Sequence, residues 1–124
     1  MTRPTELKLH QRSRVLEIHF DDGFECNLTC EYLRVHSPSA EVQGHGPGQE
    51  VLQVGKEDVG IDQLIPSGNY AVKIVFDDGH DSGIFTWSYL HGLGVNFEHN
   101  WQVYLDKLAA KGLERNTKFD SSKQ

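Results

Sequence analysis

Val15-Leu16-Glu17-Ile18-His19-Phe20-Asp21-Asp22-Gly23 and Ala71-Val72-Lys73-Ile74-Val75-Phe76-Asp77-Asp78-Gly79 are two versions of one local instruction, set 56 positions apart. In each, apolar and polar residues alternate, so Leu16, Ile18 and Phe20 share one face of a strand while Glu17 and His19 point the other way. Asp-Gly then supplies the positive φ angles of a tight hairpin. Phe24 to Leu28 is expected to return beside the first strand, and Asp81 to Phe85 beside the second. Thr29 is placed to cap a short helix from Cys30 to His36, with Glu31 in its dipole-favoured first turn and Ser37-Pro38 as its stop. Thr86 begins the matching helical turn through Trp87, Tyr89 and Leu90. Once one residue is added, Thr29, Tyr32 and Leu33 fall on Thr86, Tyr89 and Leu90, so the order of cap, aromatic and leucine recurs after the same hairpin. A duplicated ββα unit is the simplest reading.

Outward from these units, Glu6 to His10 reads as a short edge strand and Ile61 to Ile65 as another, ended by the turn Pro66-Ser67-Gly68-Asn69. Between the units, Ser37 to Glu50 is poor in apolar residues and holds Gly44, Gly46, Pro47 and Gly48, a loop of functional or flexible length; Val51 to Val54 is expected to be extended. After the second unit, Asn96 is placed to cap a helix whose Phe97, Trp101, Tyr104, Leu105 and Leu108 form one amphipathic face, and Gly112 ends it. The fold class is therefore α+β: a small, mostly antiparallel sheet with a duplicated ββα unit and a C-terminal amphipathic helix. One domain spans residues 6–112, with a flexible N-terminus at 1–5 and a flexible tail at 113–124.

A chain of 124 residues is enough for one core without staples. Its net charge of −6 gives no general attraction to phosphate backbones or anionic membranes, so neither nucleic acid nor membrane is an expected partner. The N-terminus lacks an apolar signal region and no stretch is long and apolar enough to span a bilayer. Cys26 and Cys30 are too few for a disulfide framework and are not spaced as C-x-x-C. The chain reads as cytoplasmic, with reduced thiols.

Among the 7 histidines, His80 is the leading metal-ligand candidate, because it follows the second turn beside Asp77, Asp78 and Asp81, and imidazole with carboxylates suits several divalent metals. A solvated turn is the plainer alternative. His19-Phe20-Asp21 matches the H-x-D of non-haem iron oxygenases, but its repeat counterpart is Val75-Phe76-Asp77, which makes the histidine an outward strand residue. Cys26 and Cys30 read as small core residues. Gly44-His45-Gly46-Pro47-Gly48 lacks both phosphate-loop patterns, leaving a permissive binding loop or a flexible connection. No serine, histidine and aspartate stand in a nucleophile context. Trp87, Tyr89, Phe97 and Trp101 read as core aromatics; any left exposed would mark a partner surface.

Leu33-Arg34, Ser37-Pro38-Ser39-Ala40-Glu41, Gly44-His45-Gly46 and Asp77-Asp78-Gly79-His80 together resemble stand-alone bacterial members of the gamma-butyrobetaine hydroxylase N-terminal-like family, long catalogued as a domain of unknown function. The resemblance runs from about Glu6 to Lys111. In the carnitine-pathway hydroxylases it implies a domain ahead of the catalytic barrel, holding zinc through three cysteines and a histidine. Here the histidine position is His80, but Ser37, Ser39 and Val42 stand in place of the cysteines, so zinc or iron would need another ligand set, such as His36 or His45 with His80. Related domains fused to P-loop proteins with iron-sulfur clusters imply a link to metallocofactor assembly; two cysteines cannot supply the usual four thiolates. Three functions follow: a non-enzymatic binding or adaptor domain acting on a protein partner, with a metal site at His80; an accessory domain or subunit of a metal-dependent oxidoreductase; or a purely structural or dimerisation domain. No catalytic residue is assigned.

Overall fold

The computed structural model of the chain describes residues 2–44 and 48–115. Three strands, β1 (Pro4–His10), β2 (Val15–Phe20) and β3 (Glu25–Thr29), form an antiparallel sheet in the order β1-β2-β3. A second antiparallel sheet has the order β4-β5-β6, from β4 (Ile61–Ser67), β5 (Ala71–Phe76) and β6 (Ile84–Thr86). Each sheet feeds a helix, α1 (Cys30–Val35) after β3 and α3 (Trp87–Val95) after β6; α2 (Ala40–Gln43) lies between the halves and α4 (Phe97–Ala110) closes the chain. The repeat is therefore a three-stranded sheet plus helix, because the edge strands β1 and β4 belong to it.

The correspondence extends to single hydrogen bonds. Gly23 N–H bonds the Phe20 carbonyl and Gly79 N–H the Phe76 carbonyl; Phe20 N–H meets the Phe24 carbonyl and Phe76 N–H the His80 carbonyl. Gly23 (φ 90°) and Gly79 (φ 91°) provide the left-handed conformation that both turns need. Thr29 Oγ1 accepts from Tyr32 N–H and Thr86 Oγ1 from Tyr89 N–H, both at 3.1 Å. The centre strands place Leu16, Ile18 and Phe20 beside Val72, Ile74 and Phe76 in one continuous core, none more than 4% exposed. Burying such a residue contributes about 1.5–3 kcal/mol, so the shared core holds the sheets as one body.

The halves also exchange contacts. Tyr32 Oη donates to the Leu93 carbonyl (2.7 Å) and Tyr89 Oη to the His36 carbonyl (2.6 Å). Arg34, on the first helix, pairs with Asp78 of the second turn, while His91, on the second helix, pairs with Asp22 of the first. Equivalent residues in these reciprocal pairs are 57 positions apart, or 56 for Asp22 and Asp78, so the halves are related by an approximate internal two-fold axis.

Several local expectations change. The 37–50 segment is not a plain loop: α2 buries Val42, and Ser37 and Ser39 are buried before it. Val51–Val54 joins no strand. Asn96 flanks α4 but makes no side-chain cap, since its amide nitrogen donates instead to the Gly92 carbonyl of the preceding helix. At the N-terminus β1 begins at Pro4, inside the stretch expected to be flexible, and at the other end Arg115 pairs with Glu31 and sits over the Trp101 ring at 5.2 Å. Gly112 (φ 70°) does end α4, with Leu113 N–H bonding the Leu108 carbonyl.

Candidate functional site

The two turns are alike in backbone and unlike in surroundings. At the first, Phe24 packs on Phe20 and His91, and a side chain on Gly94 would collide with Cys26 and Phe24, a tight and largely apolar corner. At the second, the position of Phe24 is taken by His80, only 4% exposed. Its Nε2 lies 2.9 Å from Ser37 Oγ and 3.4 Å from Ser39 Oγ, and its Nδ1 stands 3.5 Å from a Glu41 carboxylate oxygen with no hydrogen bond made. The strand–turn–strand of the second half thus delivers the imidazole, the segment leading into α2 delivers the hydroxyls of Ser37 and Ser39, and α2 itself delivers the Glu41 carboxylate. Burial depresses the His80 pKa, assisted by the Arg34 charge, so the ring is neutral and suited to accept the Ser37 proton.

Beside it, Asp78 accepts from Arg34 Nε (2.9 Å), Lys56 Nζ (2.8 Å) and the His80 N–H (3.2 Å). Burial works against its charge, yet the Lys56, His80 and Arg34 bonds outweigh burial and hold the carboxyl at about 2. Arg34 also donates to Gln53, tying the 50–54 segment to the same cluster.

Ser37, His80 and Glu41 stand in the order of a serine–histidine–acid relay, but the bond from His80 Nδ1 to the acid that such a relay requires is not made. Sequence spacing did not reveal the arrangement because the residues come from two distant segments. The relay is closed. Ser37 is 0% exposed, and a methyl group on Gly83 would lie 2.1 Å from its hydroxyl, so the space a substrate carbonyl needs is filled by backbone.

The structure does bring Ser37 and Ser39 to His80, the positions at which the family resemblance implies ligands, with Val42 buried on the same helical turn. This donor set does not fit zinc or iron: two hydroxyls and an aliphatic side chain replace thiolates, and Glu41 faces the opposite ring nitrogen. Among the described residues no group of three histidine, cysteine, aspartate or glutamate side chains could hold a metal ion. His36 has other neighbours: its Nδ1 bonds the Tyr32 carbonyl and its ring packs on Tyr32 and Tyr104. His45 lies outside the described residues. His19 is on the outer sheet face, bonded to Glu17 and 3.3 Å from Glu25, and Asp21 accepts from the Arg3 backbone, as strand and turn residues should. Cys30 is in the core and Cys26 against it; both are free thiols pushed up to about 11 by burial, which makes them poor nucleophiles.

A second feature was not visible in the sequence. Between α4 and the irregular 50–54 segment lies an open cleft of about 780 Å³, floored by Val35 and Tyr104. Four of the eight large apolar side chains left exposed among the described residues, Val51, Val54, Val103 and Leu113, line it. Its α4 side carries Lys107 and Lys111. The expected core aromatics Trp87, Tyr89, Phe97 and Trp101 are only partly buried, packed against the core rather than within it, with Trp101 against Phe97 and Tyr104. The exposed apolar side chains of the cleft are aliphatic.

Comparison with known proteins places these features in context. Residues 7–91 match the family model described as gamma-butyrobetaine hydroxylase-like, N-terminal. An NMR solution structure is 47% identical, with 94% of this chain and 91% of that one covered and a TM-score of 0.80. A second NMR structure is 50% identical over 93% and 86% of the two chains, with a TM-score of 0.79. A crystal structure from Acidithiobacillus ferrooxidans, described as a protein with unknown function of the DUF971 family, is 40% identical over 74% of this chain and 92% of that one, with a TM-score of 0.63. No curated protein matches. No helix among the described residues is long and apolar enough to cross a membrane.

Proposed function

The chain belongs to the gamma-butyrobetaine hydroxylase-like N-terminal family, and from that premise we propose that it is a non-enzymatic, protein-binding adaptor domain whose docking surface is the cleft between α4 and residues 50–54. The concentration of exposed apolar side chains along that single cleft supports the reading, because contiguous exposed apolar surface rimmed by polar groups is the usual mark of a partner site. The buried Ser37–His80 cluster then serves as scaffolding: it anchors α2, whose Val42 and Gln43 form part of the cleft wall. The closed relay around Ser37 gives no support to a hydrolase.

The test is site-specific photo-crosslinking in the native host with benzoylphenylalanine at Val103, which is already 37% exposed. Discrete adducts with other proteins are expected, and they disappear when Val51→Asp is added while the melting temperature stays unchanged. No adduct, or adducts only at twice the mass of the chain, would count against an adaptor and favour a structural or dimerisation domain.

A further inference from the structure

The chemistry of the cleft specifies its occupant further than apolarity does. We infer that it takes a peptide segment of a partner protein in which apolar side chains are accompanied by carboxylates. The inference rests on the protein-binding reading of the same cleft and adds the kind of partner.

Charge is the first argument. The chain is acidic overall, at −6, yet Lys107 and Lys111 stand one helical turn apart on the cleft side of α4 and form no ion pair among the described residues. Lys107 lies close enough to His36 to help hold that imidazole neutral, so the adjoining floor adds no third cation. The acid in the lining is Glu50, on the opposite wall, where its carboxylate already accepts the Gly48 N–H. One wall is therefore cationic above an apolar floor. Lys107 already attracts Glu50 across the cleft, which leaves Lys111 as the excess positive charge among the described lining residues. A ligand with an acidic residue beside its apolar anchors complements both the charge and the floor.

Backbone chemistry is the second argument, and it favours a peptide over a lipid or a small apolar molecule. The wall formed by residues 50–54 belongs to no helix or strand. Val51 N–H bonds the Val42 carbonyl, whereas the N–H groups of Leu52, Gln53 and Val54 bond to no protein group among the described residues. Tyr104 Oη donates to the Gln53 carbonyl and Arg34 holds the Gln53 side chain, so these open donors are presented by an anchored segment. Main-chain carbonyls of a docked peptide are natural acceptors for them, with side-chain specificity left to the apolar floor.

The probe is a random peptide library displayed on phage and selected against the full chain, against Val103→Asp, and against Lys107→Glu combined with Lys111→Glu. Enriched peptides are expected to contain at least two apolar residues with Asp or Glu nearby and to be lost on Val103→Asp. The double charge reversal is expected to weaken them at least tenfold and to enrich basic residues in place of acidic ones. Because all three substituted positions are exposed, unchanged thermal melting checks that each variant is folded. Peptides that need Val103 but ignore the lysine reversal would overturn the acidic-partner inference while leaving protein binding in place. No enrichment, or enrichment indifferent to Val103→Asp, would remove both. A synthetic peptide of this chain's own residues 116–124 that displaced the selected peptides at equal concentration would overturn the inference in favour of an internal occupant.

Discussion

Ser37, His80 and Gly83 form a packed trio in which a hydroxyl, an imidazole and a missing side chain share one space. Ser37→Ala leaves the buried ring with only the longer Ser39 contact, at an expected cost of about 1–3 kcal/mol in a urea titration. Gly83→Ala is expected to destabilise by a similar 1–3 kcal/mol or so through overpacking, because its methyl meets the Ser37 hydroxyl. Combined, the two should cost less than their separate effects added together, since removing the hydroxyl clears the space the methyl needs; strict additivity would disprove the contact. Titration gives a second prediction. His80 and His36 are both held below the ordinary 6.5, in each case mainly by burial. Above that value both states are neutral and stability is complete; as pH falls through it, the unfolded chain takes up protons that the folded chain refuses, so stability declines. His19 opposes this, because its Glu17 bond raises its pKa, so its contribution is present below 6.5 and lost as pH rises through the folded value. Between about pH 7.5 and about pH 5.5 the change in urea midpoint on acidification should therefore be more unfavourable in His19→Gln than in the unaltered chain. From the sequence, His80 stood out by its place after the turn only as a metal-ligand candidate or a solvated turn residue, and its burial was not foreseen. Nor were its partners, since bringing Ser37 to His80 spans 43 residues and depends on tertiary packing rather than local pattern.

Helix caps show what spacing can and cannot reveal. Thr29 and Thr86 each receive a backbone N–H three residues on, so Thr29→Ala and Thr86→Ala should each cost about 1 kcal/mol. Asn96 has the right residue type but lies between two nearly continuous helices with φ −102° and ψ 22°, outside the extended conformation of a cap. Its alanine variant should therefore cost clearly less than either threonine, as measured by thermal melting. The hairpins and α4 were legible because a two-residue or helical period runs for a full element. Helix α2 was not: its four residues bury only Val42, too short a stretch for any period to emerge. The 50–54 wall of the cleft was missed for a related reason, as its valines imitate a strand while its backbone pairs with none.

At the scale of the molecule, the internal two-fold axis determines how the halves depend on each other. Tyr32→Phe and Tyr89→Phe each remove a bond to a carbonyl of the other half, and each should cost about 0.5–1.5 kcal/mol. Neither should split the unfolding curve: tryptophan fluorescence and far-UV circular dichroism are expected to report one coincident transition, because a single core contains both sheets. Duplication could be read from matching residues, whereas the exchange of partners across the axis could not, since sequence offset records similarity and not contact. The exchange has a consequence for connectivity. Arg34 and Tyr32 close the hairpin and helix of the second half, and His91 and Tyr89 close those of the first. Each half thus holds the bolt to the other's door. A chain severed between α2 and β4 would yield two pieces that are incomplete alone and complementary together, so the covalent link supplies proximity rather than instruction.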